Sequence, residues 1–182
     1  MKANNFFKKV TNSKFDIIKE IIKILEKNKI NYCVIGGVAI NAYCEPLLTL
    51  DFDIVIEKER LKEFRKILKE KGFKIKAHPL TYEIIHPKSD IRIQIQKDER
   101  YQEFIKRAKF KKILGYKLKV ADKKDLLISK SWAFMDESRN ELKKEKDFLD
   151  IKRLLRKYPK LEKMLEDSFP SLYNKIKEKG NT

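Results

Sequence analysis

Amphipathic stretches alternate with short β-prone runs along the first two thirds of the chain. Apolar residues recur every three or four positions over residues 15–27 and again over 58–71, which predicts two helices. Gly72 follows the second of them, at a position where glycine is typical of a helix C-terminus. A small-residue segment over 38–43 is a third candidate helix.

The predicted strands lie between and after these helices. They cover residues 30–35, 52–57, 73–77, 81–86, 91–96 and 118–120. In the second run, the side chains of Phe52, Ile54 and Ile56 point to one face, as in a half-buried strand. The fourth and fifth runs form a predicted hairpin around residues 87–89.

Beyond residue 122 the pattern becomes helical. The predicted helices cover residues 123–134, 142–157, 161–167 and 171–179, and prolines separate the last three. The predicted fold class is therefore α+β: a small mixed β-sheet flanked by helices, with a C-terminal helical segment. We expect the core to occupy residues 1–120 and the helical segment, packed on the core, to occupy 121–182.

Composition narrows the class of protein. With 182 residues, 42% of them hydrophobic, the chain is long enough to bury the core of one domain. Only two cysteines occur, so a disulfide scaffold is excluded and a reduced, cytoplasmic protein is expected. No apolar run reaches the roughly 18 residues needed to span a bilayer, so we expect no membrane partner. Residues 1–10 have neither an apolar h-region nor a small-residue cleavage site, so we expect no signal peptide. His78 and His86 lack partners at zinc-binding spacing.

The chain is strongly basic. Lysine and arginine number 44 against 27 acidic residues, which gives a formal net charge of +17. Such a surface attracts polyanions such as RNA, DNA or nucleotides, but a merely solvated lysine surface has the same composition. Charge alone therefore leaves both interpretations open.

The densest group of candidate functional residues follows the first predicted strand. Gly36 and Gly37 end that strand, where glycines let backbone N–H groups approach a phosphate. Asp51 and Asp53 open the next strand, and their spacing places both carboxylates on one face. Neighbouring carboxylates repel each other unless a cation such as Mg²⁺ neutralises them. The group suits metal-assisted nucleotidyl transfer, and the alternative is a tight turn beside a solvent-facing strand edge.

The sequence around these residues resembles a known signature. Residues 35–43 (IGGVAINAY) and 49–55 (TLDFDIV) resemble DNA-polymerase-β-type nucleotidyltransferases, in particular the abortive-infection branch of AbiEii and AbiGii toxins. Residues 91–95 are similar to the strand that presents a third carboxylate in that family. Residues 125–133 resemble its lysine-bearing helix, and 146–151 resemble a later K/R-D-x-x-D-ϕ motif.

The resemblance implies a nucleotidyltransferase core with Mg²⁺ or Mn²⁺ as cofactor, a nucleoside triphosphate as substrate and an antitoxin protein as a possible partner. It assigns roles within the first motif: triphosphate contact to Gly36, Gly37 and Thr49, metal binding and catalysis to Asp51 and Asp53. Lys130 would neutralise phosphate charge, and Asp147 would orient Lys130 or line the nucleotide site. The structural alternatives are an ordinary surface lysine and, for Asp147 and Asp150, salt bridges on a helix surface.

Two positions depart from the family pattern. Gln94 stands at the third catalytic position, where active relatives have an acidic residue, and a glutamine cannot take a proton as a general base. Glu83 on the neighbouring strand lies opposite Gln94 in one hairpin register, but on the other face after a slip of one residue. Leu47 and Leu48 stand where a basic residue is frequent in relatives.

A second group of candidates is basic and partly aromatic. Residues 104–112 combine two phenylalanines with five basic side chains, which suits RNA or tRNA binding: Lys106, Arg107, Lys109, Lys111 and Lys112. The alternative is a helix-to-strand connection with its phenylalanines in the core and its lysines in solvent. The basic positions over residues 152–163 have the same two interpretations.

Three functions follow from these observations. The first is a nucleotidyltransferase that transfers a nucleoside monophosphate to a hydroxyl of RNA, tRNA, a protein or a small molecule. For this function the resemblance implies the role of a toxin in a toxin–antitoxin pair. The second is a non-catalytic relative that binds nucleotide or RNA, which Gln94 favours. The third is a basic RNA-binding protein in which the glycines and aspartates are structural.

Overall fold

A seven-stranded mixed sheet forms the centre of the computed structural model, which describes residues 15–113 and 115–178. The strands are β1 (Tyr32–Ile35), β2 (Asp51–Ile56), β3 (Lys74–Ala77), β4 (Thr81–His86), β5 (Ser89–Gln96), β6 (Lys109–Ile113) and β7 (Tyr116–Val120). Their order is β3-β4-β5-β2-β1-β7-β6, with β2 parallel to β5 and β1 parallel to β7. The other neighbouring strands are antiparallel.

Helices flank this sheet, which confirms the predicted α+β fold class. They are α1 (Ile17–Lys27), α2 (Gly36–Ile40), α3 (Leu61–Glu70), α4 (Gln102–Arg107), α5 (Lys123–Met135), α6 (Glu141–Lys157), α7 (Leu161–Ser168) and α8 (Pro170–Glu178). All the predicted helices are found, with described ends shifted by at most three residues. The short helix α4 is additional to the prediction.

One face of the sheet is apolar because side chains alternate along its strands. Phe52, Ile54 and Ile56 of β2 are buried, as their spacing predicts. The apolar faces of α1 and α3 join them in one core, with α1 against β5 and α3 against β3. Asp16 caps α1, since its carboxylate accepts a hydrogen bond from the Lys19 backbone N–H at 3.0 Å.

Asp51 and Asp53 point to the opposite face of β2. Helix α4 packs against β1 and β2, and Phe104 from α4 stacks on Trp132 from α5 at 6.0 Å between ring centroids. This helical cover buries Val55 further along β2 but leaves Asp51 and Asp53 partly exposed. The start of β2 is therefore accessible from one side of the sheet.

The C-terminal helices pack on one another and on α2. Helix α5 lies against α6, and α2 contacts both of them. Leu126, Leu127, Ile151 and Leu154 are buried in the shared core. The division into residues 1–120 and 121–182 stays a prediction. Within the described part of the chain, no helix is long and apolar enough to cross a membrane.

Strand β6 is the main departure from the predicted elements. One interpretation of residues 104–112 is a connection from a helix to a strand, but residues 109–113 form an edge strand of the sheet, and its partner β7 begins at Tyr116 instead of residue 118. Strand β5 begins at Ser89, two residues earlier than predicted. Two predictions fall outside the described residues: the absence of a signal peptide at the N-terminus and position 179 of the last predicted helix.

Candidate active site

The connection from β1 to α2 brings Gly36 against β2. Gly36 directly follows Ile35 and has a φ of +68°, in the left-handed region that favours glycine. A Cβ atom on Gly36 would lie 2.1 Å from Oδ2 of Asp53, so a larger residue would displace this carboxylate. A Cβ atom on Gly37 would meet Cγ2 of Thr49 at 3.5 Å, an ordinary contact. Geometry therefore requires glycine at position 36 but not at position 37.

Asp51 begins β2 and is held from two sides. Its backbone N–H donates to Oγ1 of Thr49 at 3.4 Å, which orders the turn into the strand. Its carboxylate forms an ion pair with Arg92 on the neighbouring strand β5, with 2.8 Å between Oδ1 and Nη2. Since Arg92 is itself exposed, this cation lies at the open side of the site.

The carboxyl group of Asp53 is difficult to ionise. Burial raises its pKa from 3.8 to about 6, while Lys130 acts in the opposite direction and the neighbouring Asp51 adds to the rise. Arg139 also lowers this pKa, so two cations from the helical segment act on the carboxyl. A divalent cation shared by the two aspartates would offset burial and repulsion and favour their ionised forms.

Three polar residues form a row across the sheet beside this pair. Gln94 pairs with Asp53 in the parallel β2–β5 ladder, and Glu83 pairs with Gln94 in the antiparallel β4–β5 ladder. Paired residues point to the same face, with strands about 4.8 Å apart. The structure thus has the hairpin register that places Glu83 beside Gln94. The Glu83 carboxylate also lies 3.5 Å from Nε2 of His78.

Lys130 on α5 is held by two carboxylates of α6. Its Nζ lies 2.7 Å from Oδ1 of Asp147 and 2.8 Å from Oδ2 of Asp150. Lys130 is only 13% exposed and both aspartates are buried, so this is neither a surface lysine nor a set of surface salt bridges. Burial acts to lower the pKa of Lys130, but Asp150 and Asp147 outweigh it and raise that pKa, which keeps the ammonium charged.

Two arginines extend this network. Nε of Arg139, in the turn between α5 and α6, donates to Oδ2 of Asp147 at 2.5 Å. Arg153 on α6, one of the basic positions over residues 152–163, binds Asp150 at 2.6 Å and donates to Oδ1 of Asn41, directly after α2, at 3.0 Å. The K/R-D-x-x-D-ϕ motif marks the two aspartates, but no sequence pattern predicts that these arginines bind them.

The oxygen atoms at the start of β2 suit a hard divalent cation. Oδ1 of Asp51 is buried and accepts no hydrogen bond from the described residues, although it forms the ion pair with Arg92. Asp53 supplies a second carboxylate, and Gln94 has a neutral carbonyl oxygen in the adjacent position. This donor set fits Mg²⁺ or Mn²⁺. Within residues 15–113 and 115–178, no group of three or more His, Cys, Asp or Glu side chains forms a metal-binding cluster.

The structure divides the basic group of residues 104–112. Phe104 is buried, as the structural alternative expects, whereas Phe110 is 51% exposed. Arg107 is occupied by the buried carboxylate of Asp125, to which its Nε and Nη2 donate at 2.8–3.2 Å. The lysines of the group are exposed or partly exposed: Lys106, Lys109, Lys111 and Lys112.

The chain is similar to known proteins in structure but not in sequence. No protein-family model and no curated protein matches the sequence. The antibiotic-resistance factor ANT(2'')-Ia matches with a TM-score of 0.60 and 12% identity, over 90% of this chain and 95% of its own. The lincosamide antibiotic adenylyltransferase LnuA, bound to lincomycin, matches with a TM-score of 0.53 and 18% identity, over 75% and 93%.

A third similar structure is an antigenic nucleotidyltransferase-like protein from Paracoccidioides brasiliensis, with a TM-score of 0.52 and 17% identity over 86% and 89% of the two chains. The chain has a nucleotidyltransferase fold. This confirms the fold implied by the glycine and aspartate motifs. Because the identities are low, the likeness concerns the fold alone, and the branch, the metal and the roles of individual residues stay predictions.

Proposed function

We propose that the protein is a nucleotidyltransferase that binds a nucleoside triphosphate with Mg²⁺ or Mn²⁺ and transfers the nucleoside monophosphate to an acceptor hydroxyl. The observation that carries this proposal is the Asp53 carboxylate lying against Gly36, with Asp51 on the same strand face. Two hard oxygen ligands thereby adjoin a backbone segment that has no side chain, in a fold shared with an adenylyltransferase.

The glycine segment and the aspartate pair would act on the triphosphate together. In this proposal Gly36, Gly37 and Thr49 line the phosphates, and Asp51 and Asp53 hold the metal. When bound, such a metal neutralises phosphate charge and polarises the phosphoryl group that is attacked. The aspartates must then be ionised, which the bound cation favours despite the raised pKa of Asp53.

The buried charge network adds a fixed cationic group. Its three cations and two carboxylates leave one net positive charge: Lys130, Arg139 and Arg153 against Asp147 and Asp150. A cation that is already oriented stabilises phosphate charge without further reorganisation. We therefore assign phosphate neutralisation to Lys130 and its orientation to Asp147, in keeping with the motif resemblance.

Two arginines compensate for the missing basic residue of the family pattern. Leu47 and Leu48 are exposed in the segment before β2 and offer no charge. Arg92 reaches the Asp51 carboxylate from β5, and Arg139 acts on Asp53 from the turn before α6. We propose that these two side chains supply phosphate contacts in place of a cation at position 47 or 48.

The reaction also requires a proton acceptor. The acceptor oxygen bonds to the α-phosphorus, the bond from that phosphorus to the bridging oxygen breaks, and pyrophosphate leaves. Gln94 cannot take the proton of the attacking hydroxyl. We assign that proton to Glu83, which pairs with Gln94 on the same face of the sheet and lies two strands from Asp53.

A second candidate function is nucleotide binding without turnover. The specific observation that favours it is Gln94, which stands beside Asp53 where a carboxylate would complete the metal site. Such a protein would bind a nucleoside triphosphate in a metal-dependent way but release no pyrophosphate. Pyrophosphate release that disappears in Asp51→Asn would exclude this second function.

The acceptor and the biological role are proposed from the sequence. The charge of +17 supports an RNA or tRNA acceptor over a small molecule. The likeness to the abortive-infection branch supports a toxin that is neutralised by an antitoxin protein. Induced expression should then arrest growth, and Asp51→Asn should abolish the arrest without lowering the level of folded protein. Growth arrest that persists in this variant would contradict the toxin role.

The central test is calorimetric titration with each nucleoside triphosphate, with and without Mg²⁺. We expect Mg²⁺-dependent binding to be lost in Asp51→Asn and retained in Asp90→Asn, which removes an exposed carboxylate at the start of β5. Incubation with α-labelled nucleotide and RNA then measures transfer. Absence of binding to every triphosphate would reject both nucleotide-dependent functions and leave the basic RNA-binding protein.

A further inference from the structure

One face of the β6–β7 ribbon combines an exposed aromatic ring with lysines. Phe110 on the edge strand β6 pairs with Lys119 on β7, and Lys112 pairs with Lys117. Because side chains alternate along strands, these four residues share one face. We call them the Phe110 face: Phe110, Lys112, Lys117 and Lys119.

The ring of Phe110 is accessible and flanked by cations. It is 51% exposed, and Nζ of Lys117 and Nζ of Lys119 lie 4.8 Å and 5.8 Å from its centroid. Two cavities, each of about 300 Å³, include Phe110 in their lining. One is lined by Lys112 and Lys117, and the other by Lys119 and Lys29. An apolar surface with ammonium groups around it can contact a base and its phosphates together.

The lysines of the Phe110 face are not neutralised by neighbouring carboxylates. In the described parts of the chain, Lys112, Lys117 and Lys119 form no ion pair with an acidic side chain, although Glu26 lines one of the cavities. Arg107, predicted from the sequence to bind RNA, is instead occupied by Asp125, and Lys106 is paired with Glu103 at 2.6 Å. Within residues 104–112, the cations without an acidic partner therefore lie on β6, not on α4.

We propose that the Phe110 face binds single-stranded nucleic acid, with a base stacked on Phe110 and phosphates contacted by Lys112, Lys117 and Lys119. Stacking on an aromatic side chain requires an unpaired base, which favours a single strand over a duplex. Binding here needs neither metal nor nucleoside triphosphate, so it is separable from the reaction proposed for Asp51 and Asp53. The competing explanation is that edge-strand lysines only prevent β6 from pairing with another chain.

Fluorescence anisotropy of the full chain with a labelled oligonucleotide of about 12 residues tests the proposal. We expect low-salt binding of single-stranded RNA or DNA and weaker binding of duplex RNA. Phe110→Ala should raise the Kd at least about fivefold, whereas Phe110→Trp should retain binding because its ring also stacks. Replacing the three lysines by glutamine should make the slope of log K against log salt shallower by about 2.

Matched variants on the opposite edge of the molecule separate a defined site from bulk charge. Lys69, Lys74 and Lys76 are exposed on or near β3, so their triple replacement by glutamine lowers the net charge equally. We expect that control and Leu80→Ala to leave the Kd within about twofold of the wild type. Equal weakening by both lysine triples, no effect of Phe110→Ala, duplex binding as tight as single-strand binding, or no binding by the wild type would each overturn the proposal.

Discussion

Oδ2 of Asp53 lies within 2.1 Å of the point where a side chain would begin on Gly36. The left-handed conformation of Gly36 and the position of this carboxylate each disfavour a larger residue at position 36. The backbone conformation and the packing of Asp53 therefore require the same glycine. The end of β1 and the start of β2 are fitted to each other at the point where we place the triphosphate.

Gly36→Ala and Gly37→Ala should consequently have different effects. Alanine at position 36 meets the Asp53 carboxylate and adopts an unfavourable φ, so we expect a loss of about 2 kcal/mol in the free energy of unfolding and no nucleotide binding. Alanine at position 37 has room beside Thr49 and should cost less than about 1 kcal/mol. Urea unfolding and calorimetry measure both quantities, and equal effects of the two substitutions would contradict this geometry.

Asp53→Asn should stabilise the metal-free protein at alkaline pH. The folded-state pKa of about 6 exceeds the ordinary value of 3.8, so the stabilising contribution of Asp53 is complete below pH 3.8 and is lost as the pH rises through 6. In EDTA, we expect the free energy of unfolding of the variant to exceed that of the wild type by about 3 kcal/mol at pH 8 and to differ little at pH 4. Urea unfolding at both pH values measures this, with the exposed-site variant Asp90→Asn as control. Lower stability of Asp53→Asn at pH 8 would refute the expectation.

Lys130→Met should destabilise the protein strongly. It leaves the buried carboxylates of Asp147 and Asp150 without their shared cation, for which we expect a loss of about 2–4 kcal/mol. The comparison is Lys163→Met, which removes a lysine that is 74% exposed and lies 2.9 Å from Asp167. That change should stay within about 0.5 kcal/mol. Similar losses in the two variants, measured by urea unfolding, would mean that the buried network contributes no more than a surface pair.

Glu83→Gln should lower the rate of nucleotide transfer while leaving triphosphate binding unchanged. Loss of a general base typically reduces kcat by about 10²–10⁴-fold. A second substitution, Gln94→Glu, should restore turnover because it returns a carboxylate to the position beside Asp53. Single-turnover assays with α-labelled nucleotide measure both effects, with Asp90→Asn as the matched control. Wild-type rates in Glu83→Gln would show that another group accepts the proton.

The apolar pattern predicts the interior strands and the edge strand β3 but not the edge strand β6. The alternation of Phe52, Ile54 and Ile56 predicts strand β2. This strand lies between two others, and helices exclude water from the face that carries these three side chains. Strand β6 carries lysines on both faces, which is tolerated only because it has one neighbouring strand. Its sequence therefore lacks the contrast between faces on which a strand prediction depends.

The sequence predicts the residues of the candidate site that belong to short motifs. It predicts only some of the contacts between residues that are far apart in the chain. Gly36 and Asp53 are marked by short motifs, since the turn and the strand each need particular residue types. The pairing of Glu83 with Gln94 depends on an irregularity between Ile84 and His86 that shifts the ladder, and the sequence pattern does not reveal such a shift. Contacts such as Arg139 with Asp147 depend on how two helices pack, which no local pattern specifies.

The two carboxylates that hold Lys130 belong to the helix after its own. A shortened chain that ended before Asp147 would retain all the described strands and both glycines of the β1–α2 connection, but it would lose the helix that packs on α5 and supplies both partners of Lys130. Its lysine would then be a solvated side chain without a fixed orientation. Helix α6 thus fixes the position of a charge that it does not contain, and any shortened version that keeps this charge in place must extend past residue 150.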